Sequence, residues 1–119
     1  MIRRLQQRSA IKRFVKQLPL DLRRRHGMSD FYSLEQMNRA VKGGPYDAAF
    51  VSYAHALFCS REEFDAHYGP LKVRATYDGH RAKVARRFFG GAKDFDAKSI
   101  IRYAGTVEGD QFYESGIAD

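Results

Sequence analysis

The side chains that most often carry chemistry in proteins are few in this sequence, and they lie in separate segments. The four histidines show no spacing typical of a metal site or of a nucleophile with its base; they are His26, His55, His67 and His80. Glu63 and His67, four residues apart on a predicted helix, supply only two potential metal ligands. The sequence therefore predicts no catalytic residue, no metal ligand and no cofactor.

The apolar run 54–59 contains His55 and the single cysteine, Cys59. A buried imidazole is usually hydrogen-bonded, so we interpret His55 as a core residue bonded to a neighbour such as Tyr46 or to a backbone carbonyl, rather than as a general base. A lone thiol forms no internal disulfide and most often packs as a small hydrophobe. We therefore expect a reducing, cytoplasmic compartment, with Cys59 as a core residue.

Charge is the feature of this sequence that most clearly indicates a binding role. The chain has a net charge of +7, but residues 1–25 hold nine basic side chains against the single acid Asp21, whereas residues 26–119 sum to −1. The partner-binding residues predicted from this asymmetry are Arg3, Arg4, Arg8, Lys12, Arg13, Lys16, Arg23, Arg24 and Arg25. A secondary basic face is predicted on a later helix, at Lys83, Arg86 and Arg87.

Three functions are compatible with this charge distribution. The first is a non-enzymatic interaction module whose basic N-terminal helix meets an acidic protein surface or a second copy of the chain. The second is non-specific nucleic-acid binding, although the sequence has no helix-turn-helix spacing and no basic region interleaved with stacking aromatics. The third is a small enzyme whose site is assembled from distant residues and is not readable from spacing.

Two other interpretations leave the basic segment without a binding role. In the first, the basic segment is an ordinary solvated surface; in the second, it is covered by the acidic end of the chain. The last fifteen residues contain no base and four acids, Glu108, Asp110, Glu114 and Asp119. Folded back over the first helix, this tail would neutralise its field.

No stretch approaches the roughly 20 apolar residues that a bilayer span requires, so we expect no transmembrane segment. We also expect no export, because no apolar core follows the basic N-terminus. The acid-free segment 1–20 matches the composition of a mitochondrial presequence, and equally that of a small bacterial protein with a basic first helix.

Length and hydrophobic content predict one helical domain. With 119 residues, of which 44% are hydrophobic, the chain is long enough for one core and too short for two. We expect an all-α, compact bundle of five or six short helices around a buried central helix, 45–59, with at most one short strand, in 71–77. A basic N-terminal helical segment (1–25) precedes a helical core (30–104) and an acidic tail (105–119).

Helix starts are marked by side chains that can accept bonds from backbone N–H groups. The predicted caps are Ser33 with Gln36 for a helix at 34–42, Ser60 with Glu63 for a two-turn helix ended by Gly69, and Asp96 for a helix at 97–104 ended by Gly105. An amphipathic helix is predicted at 79–89, capped by Asp78, with Arg81 on its apolar side. Because a buried guanidinium must be paired, we expect Arg81 to meet a carboxylate or helix-end carbonyls.

The first helix presents apolar side chains on two opposite sides. One apolar face is formed by Ile11, Phe14, Val15 and Leu18. Ile2 and Leu5 project to the opposite, basic side, and one helix cannot bury both sets in the same core. Either the helix begins near Ser9 and the first residues fray, or Ile2 and Leu5 meet something outside the domain.

Three short stretches resemble a known family. They are 53–59 (Tyr-Ala-His-Ala-Leu-Phe-Cys), 61–65 (Arg-Glu-Glu-Phe-Asp) and 85–91 (Ala-Arg-Arg-Phe-Phe-Gly-Gly). Over residues 30–104 the chain resembles a family of small bacterial proteins that share a domain of unknown function. The resemblance implies a bacterial cytosolic protein and implies no activity, cofactor or catalytic residue. The basic first helix lies outside the resembling part.

Overall fold

A computed structural model of the chain describes residues 2–71, 76–92 and 94–109. In these ranges the elements are α1 (Ile2–Lys16), α2 (Leu18–His26), α3 (Leu34–Lys42), a 3-10 turn (Ala48–Phe50), α4 (Val51–Phe58), α5 (Arg61–Tyr68), α6 (Tyr77–Phe88) and α7 (Ala97–Gly109). The predicted all-α class is confirmed. The described residues form seven α-helices; since α1 and α2 are separated by Gln17 alone, counting them as one interrupted helix gives six, within the five or six that the sequence predicts.

The first helix begins at Ile2, so a start near Ser9 is wrong. Residues 2–9 contain no glycine or proline, and six of the eight are arginine, glutamine or leucine, which favour helix. The predicted buried face is confirmed, because Ile11, Phe14, Val15 and Leu18 are all buried. The interruption at Gln17 precedes Pro19, which lacks an N–H and is tolerated in the first turn of α2.

The core is arranged around α4, which contacts α1, α3, α5 and α6. Its residues from Tyr53 to Phe58 are buried, as the prediction of an apolar central helix requires. The helix is shorter than the predicted 45–59, because the side chain of Asp47 accepts a bond from the N–H of Ala49 and starts a 3-10 turn before it. The last helix, α7, packs across α1 and α2.

The Ser33 cap is confirmed as a reciprocal capping box. Ser33 Oγ accepts from the N–H of Gln36 at 3.1 Å, and Gln36 Oε1 accepts from the N–H of Ser33 at 3.0 Å. Ser60 likewise accepts from the N–H of Glu63 at 3.2 Å, which starts α5 as predicted. The Glu63 carboxylate, however, accepts from the N–H of Leu34 at 2.9 Å. It satisfies an unpaired N–H in the first turn of α3 and thereby joins α5 to α3.

The start of α6 differs from the prediction, because Thr76 rather than Asp78 caps it. Thr76 Oγ1 accepts from the N–H of Gly79 at 3.1 Å, while Asp78 lies inside the first turn and forms an ion pair with Arg61. Of the predicted strand, residues 72–75 lie outside the described residues. Tyr77 belongs to α6.

Two helix ends show how packing and local signals compete. α6 ends at Phe88, before Gly90 and Gly91 with φ of 61° and 91°, and the N–H of Gly91 donates to the carbonyl of Ala85 at 2.9 Å. α7 starts after Asp96, whose carboxylate accepts from the N–H of Ser99 at 2.9 Å. It continues past Gly105 to Gly109, so the predicted end at Gly105 is wrong. A glycine inside a helix costs only about 1 kcal/mol, and α7 is packed on two other helices.

The prediction for Arg81 is confirmed. This side chain is 8% exposed, and its guanidinium donates to the carbonyl of Ala56 near the end of α4, at 3.0 Å, and to the carbonyl of Phe95. The same group lies 4.0 Å from the centroid of the Phe95 ring. Arg81 therefore joins α6 to α4 and to the segment before α7.

Within the described residues, no helix combines the length and the apolar character needed to cross a membrane.

Candidate functional site

A groove separates α1 from α6, because both helices pack on α4. The exposed side of α1 and the basic face of α6 form its two walls. The residues that line it are Arg4, Gln7, Arg8, Ile11, Lys83, Arg86 and Arg87, around a volume of about 520 Å³. We call this the cationic groove, since five of its seven described lining residues are basic and none is acidic.

Polar contacts across the groove fix the distance between its walls. Lys83 Nζ donates to Gln7 Oε1 at 2.9 Å, and Arg87 Nη1 donates to the backbone carbonyl of Arg8 at 3.1 Å. Gln7 Nε2 also donates to the hydroxyl of Tyr53 on α4, at 3.1 Å. Three helices thus hold the groove in one shape.

Four of the lining cations are exposed; Lys83 is bonded to Gln7, and the other three are Arg4, Arg8 and Arg86. In the described part of the chain, the side chains of these three make no hydrogen bond or ion pair with another residue. Their like charges repel one another across the groove, and an anion bound between them would relieve that repulsion. Planar guanidinium groups also match carboxylate and phosphate oxygens two at a time.

The groove is floored by an apolar side chain. Ile11 is only 3% exposed and closes the space beneath the arginines. The lining residues in the described ranges include no aromatic side chain. Electrostatic attraction at the walls is therefore combined with an apolar base, without a stacking platform.

The structure places the predicted partner-binding residues on several sides of the molecule rather than on one surface. Arg4 and Arg8 lie in the cationic groove, where they join the predicted secondary face of α6. The others lie elsewhere. Arg3 lies over the Phe50 ring and Lys16 over the Phe88 ring. Arg13 lies on the far side of α1, Arg24 pairs with Asp21, Arg25 lies against Gly43, and Arg23 and Lys12 lie on the surfaces of α2 and α1.

Asp21, the single acid of the basic segment, is used within the fold. It pairs with Arg24 and accepts a hydrogen bond from the hydroxyl of Tyr46. Burial and the neighbouring Asp21 carboxylate raise the pKa of Tyr46. Asp21 therefore fastens α2 to the segment after α3 and does not line the cationic groove. The acidic tail predicted to cover the first helix lies, from residue 110 onward, outside the described residues.

His55 is a hydrogen-bonded core residue, as predicted. Its Nδ1 lies 2.5 Å from the hydroxyl of Tyr68 and its Nε2 lies 2.8 Å from Asn38 Oδ1. The amide oxygen can only accept, so Nε2 donates and Nδ1 accepts from Tyr68. The predicted partner Tyr46 is wrong, because Tyr46 is bonded to Asp21. Burial, with a smaller contribution from His67, lowers the pKa of His55 to about 4.

Cys59 is fully buried, and burial raises the pKa of its thiol to about 12, with a further contribution from Glu63. The thiol therefore stays protonated and unreactive at neutral pH. The potential metal ligand Glu63 is bonded to the backbone of α3 instead. Among the described residues, no three histidine, cysteine, aspartate or glutamate side chains are grouped as metal ligands would be.

Sequence reasoning missed one contact of a type found in enzymes. Ser52 Oγ lies 3.0 Å from His80 Nε2, and the His80 ring stacks on Tyr53 at 3.8 Å between centroids. Burial and, less strongly, Lys83 lower the pKa of His80 to about 4, so this imidazole is a weak base. The contact joins α4 to α6, and neither residue lines the cationic groove.

Gln7 and Ile11 were also missed as parts of the site. With Arg4 they follow helical spacing, at i, i+3 and i+7, so a signal was present in the sequence. No local pattern in the sequence predicts that α6 lies beside α1, because that arrangement depends on both helices packing on α4.

The fold and the groove together define an all-α domain with a cationic surface groove. The chain belongs to a family of unknown function, DUF6559, whose model matches residues 2–116. The match includes α1, which the sequence resemblance over 30–104 did not, and so both walls of the groove lie within the family domain. No curated protein and no solved structure gives a significant match to the chain.

Proposed function

We propose that this domain is a non-enzymatic interaction module that binds an acidic segment of a partner protein in the cationic groove. One observation carries the proposal: two basic faces about 80 residues apart in the sequence line a single groove in which no described acid opposes them. An acidic segment would be attracted by five cations at once, and the attraction would also speed its association.

The base of the groove favours a protein partner over nucleic acid. Ile11 closes it with only 3% of its surface exposed, and no described lining residue is aromatic, whereas single-stranded nucleic acids are usually held by aromatic side chains that stack on the bases. A second copy of the chain is a poorer partner for this surface, since its corresponding groove carries the same sign of charge.

The proposal is tested by titrating the full chain with a fluorescein-labelled polyglutamate peptide and following fluorescence anisotropy. A polyglutamine peptide with the same label controls for charge-independent binding. We expect polyglutamate to bind and polyglutamine not to bind, with the affinity falling as salt is raised.

Matched variants locate the binding surface. Arg4→Gln with Arg86→Gln removes two cations from the groove, and Arg39→Gln with Lys42→Gln removes two from α3 at the same cost in net charge. At roughly 0.5–1 kcal/mol per lost contact, the groove variant should bind polyglutamate about five- to thirtyfold more weakly. Equal weakening by the α3 variant would show that net charge alone drives binding and would contradict the proposal.

A nucleic-acid comparison completes the test. Labelled single-stranded and duplex DNA are titrated under the same conditions, against wild type and both variants. If DNA binds more tightly than polyglutamate and loses affinity in the groove variant, the groove serves nucleic acid and the proposal is overturned. Weaker binding of DNA, equally affected by both variants, supports it.

A further inference from the structure

Leu5 is an apolar side chain for which the fold provides no cover. It is 64% exposed although it lies within α1, which is helical from Ile2 onward. The sequence left two explanations, a frayed N-terminus or a contact outside the domain, and the helical start removes the first. A contact outside the domain is the other explanation.

Leu5 borders a second cavity on the far side of α1 from the cationic groove. This α1 cavity has a volume of about 330 Å³ and is lined by Leu5, Gln6, Ser9, Ala10, Arg13, Pro45 and Asp47. Leu5 and Arg8 are three residues apart and therefore neighbours on the helix surface. We call the exposed surface of α1 that carries Leu5 and Arg8 the ridge of α1. On this ridge the apolar side chain of Leu5 lies next to an arginine of the cationic groove, and it also borders the α1 cavity.

We propose that the acidic partner is an amphipathic helix that lies along this ridge, with its carboxylates in the cationic groove and an apolar side chain packed on Leu5 and the α1 cavity. The inference rests on the proposed function and specifies the partner. Leu5 and Arg8 lie about 4.5 Å apart along the axis of α1, close to the 5.4 Å repeat at which a partner helix presents successive side chains. A second copy placed here would bring Arg4 and Arg8 against their own counterparts.

Three labelled peptides with the same number of glutamates test this. The first combines glutamate with alanine, with the glutamates at i, i+4 spacing. The second replaces the alanines beside the acidic stripe by leucine. The third contains those leucines in scrambled positions. We expect the second to bind wild type about five- to tenfold more tightly than the first, the gain expected from partly burying one leucine.

Leu5→Gln should remove this gain and leave the binding of the alanine peptide unchanged. Glutamine favours helix, so α1 is retained, which circular dichroism checks. Leu71→Gln is the matched control, because Leu71 is 56% exposed and lines neither cavity; it should keep the gain.

The outcomes separate the two proposals. If the alanine and leucine peptides bind equally, or the scrambled peptide binds as tightly as the second, the amphipathic partner is wrong and the proposed function stands. If none of the acidic peptides binds, the proposed function fails as well. Sedimentation that shows wild-type dimers which dissociate on Leu5→Gln would assign Leu5 to a second copy and overturn the inference.

Discussion

At the scale of single residues, the buried guanidinium of Arg81 is held by acceptors from two other segments of the chain. Two backbone carbonyls accept from its guanidinium, and the Phe95 ring covers one face of it. Its pairing was predictable, because an arginine on the apolar side of an amphipathic helix needs acceptors. Which carbonyls would supply them was not, since they come from two other segments of the chain.

Replacing Arg81 by alanine is expected to destabilise the fold by about 3 kcal/mol, because two buried carbonyls lose their donor and the Phe95 ring loses its contact. Urea denaturation followed by circular dichroism measures the change. Arg86→Ala on the same helix is the control and should alter stability by less than about 0.5 kcal/mol. A similar effect of both variants would contradict this account of Arg81.

Two buried histidines predict how stability depends on pH. In the folded chain His55 and His80 each have a pKa of about 4, below the usual 6.5, so the unfolded chain binds more protons between these values. Stability should therefore be fully present above about pH 6.5 and fall as pH drops from 6.5 to 4, by up to about 1.4 kcal/mol per pH unit for each histidine; below about pH 4 the folded chain is protonated as well and the loss levels off.

Urea midpoints measured across this pH range check the prediction for the histidines. His55→Gln should flatten the curve over the same range, even though the variant is less stable at neutral pH. A wild-type curve that stays level from pH 6.5 to 4 would be inconsistent with two neutral, buried imidazoles.

At the scale of elements, helix starts were predicted well and helix ends less well. Ser33, Ser60 and Asp96 each bond to an N–H three residues ahead, so all the information is local. Thr76 was overlooked in favour of Asp78, although both can cap. The extension of α7 beyond Gly105 depends on packing against other helices, which a local pattern does not contain.

The bond from Glu63 to α3 is the clearest long-range event at this scale. Removing it with Glu63→Ala should cost about 1–2 kcal/mol, because the N–H of Leu34 loses a charged acceptor. Thermal unfolding measures this change. Glu62→Ala, an exposed neighbour in the same turn of α5, should have an effect within about 0.5 kcal/mol. Equal effects of the two changes would mean that Glu63 contributes only to the charge at the start of α5.

For the whole molecule, the sequence predicted the excess positive charge but not how it is distributed in space. The nine cations of residues 1–25 were treated as one surface, yet α1 and α2 turn them to different sides. The secondary face on α6 is instead the part that meets α1. Residues 4, 7, 8 and 11 could be grouped by helical spacing, whereas their pairing with residues 83, 86 and 87 arises only when both helices pack on α4.

The central claim, that the cationic groove receives an acidic segment, is tested most directly by locating a bound peptide on the folded chain. A polyglutamate peptide carrying a nitroxide spin label is added to the ¹⁵N-labelled protein, and the loss of each backbone amide signal is measured by nuclear magnetic resonance. We predict the strongest losses along both groove walls, at residues 4–11 and 83–87, and weak losses at residues 39–42. Losses centred on α2 or α3, or spread evenly over the basic surface, would contradict the claim.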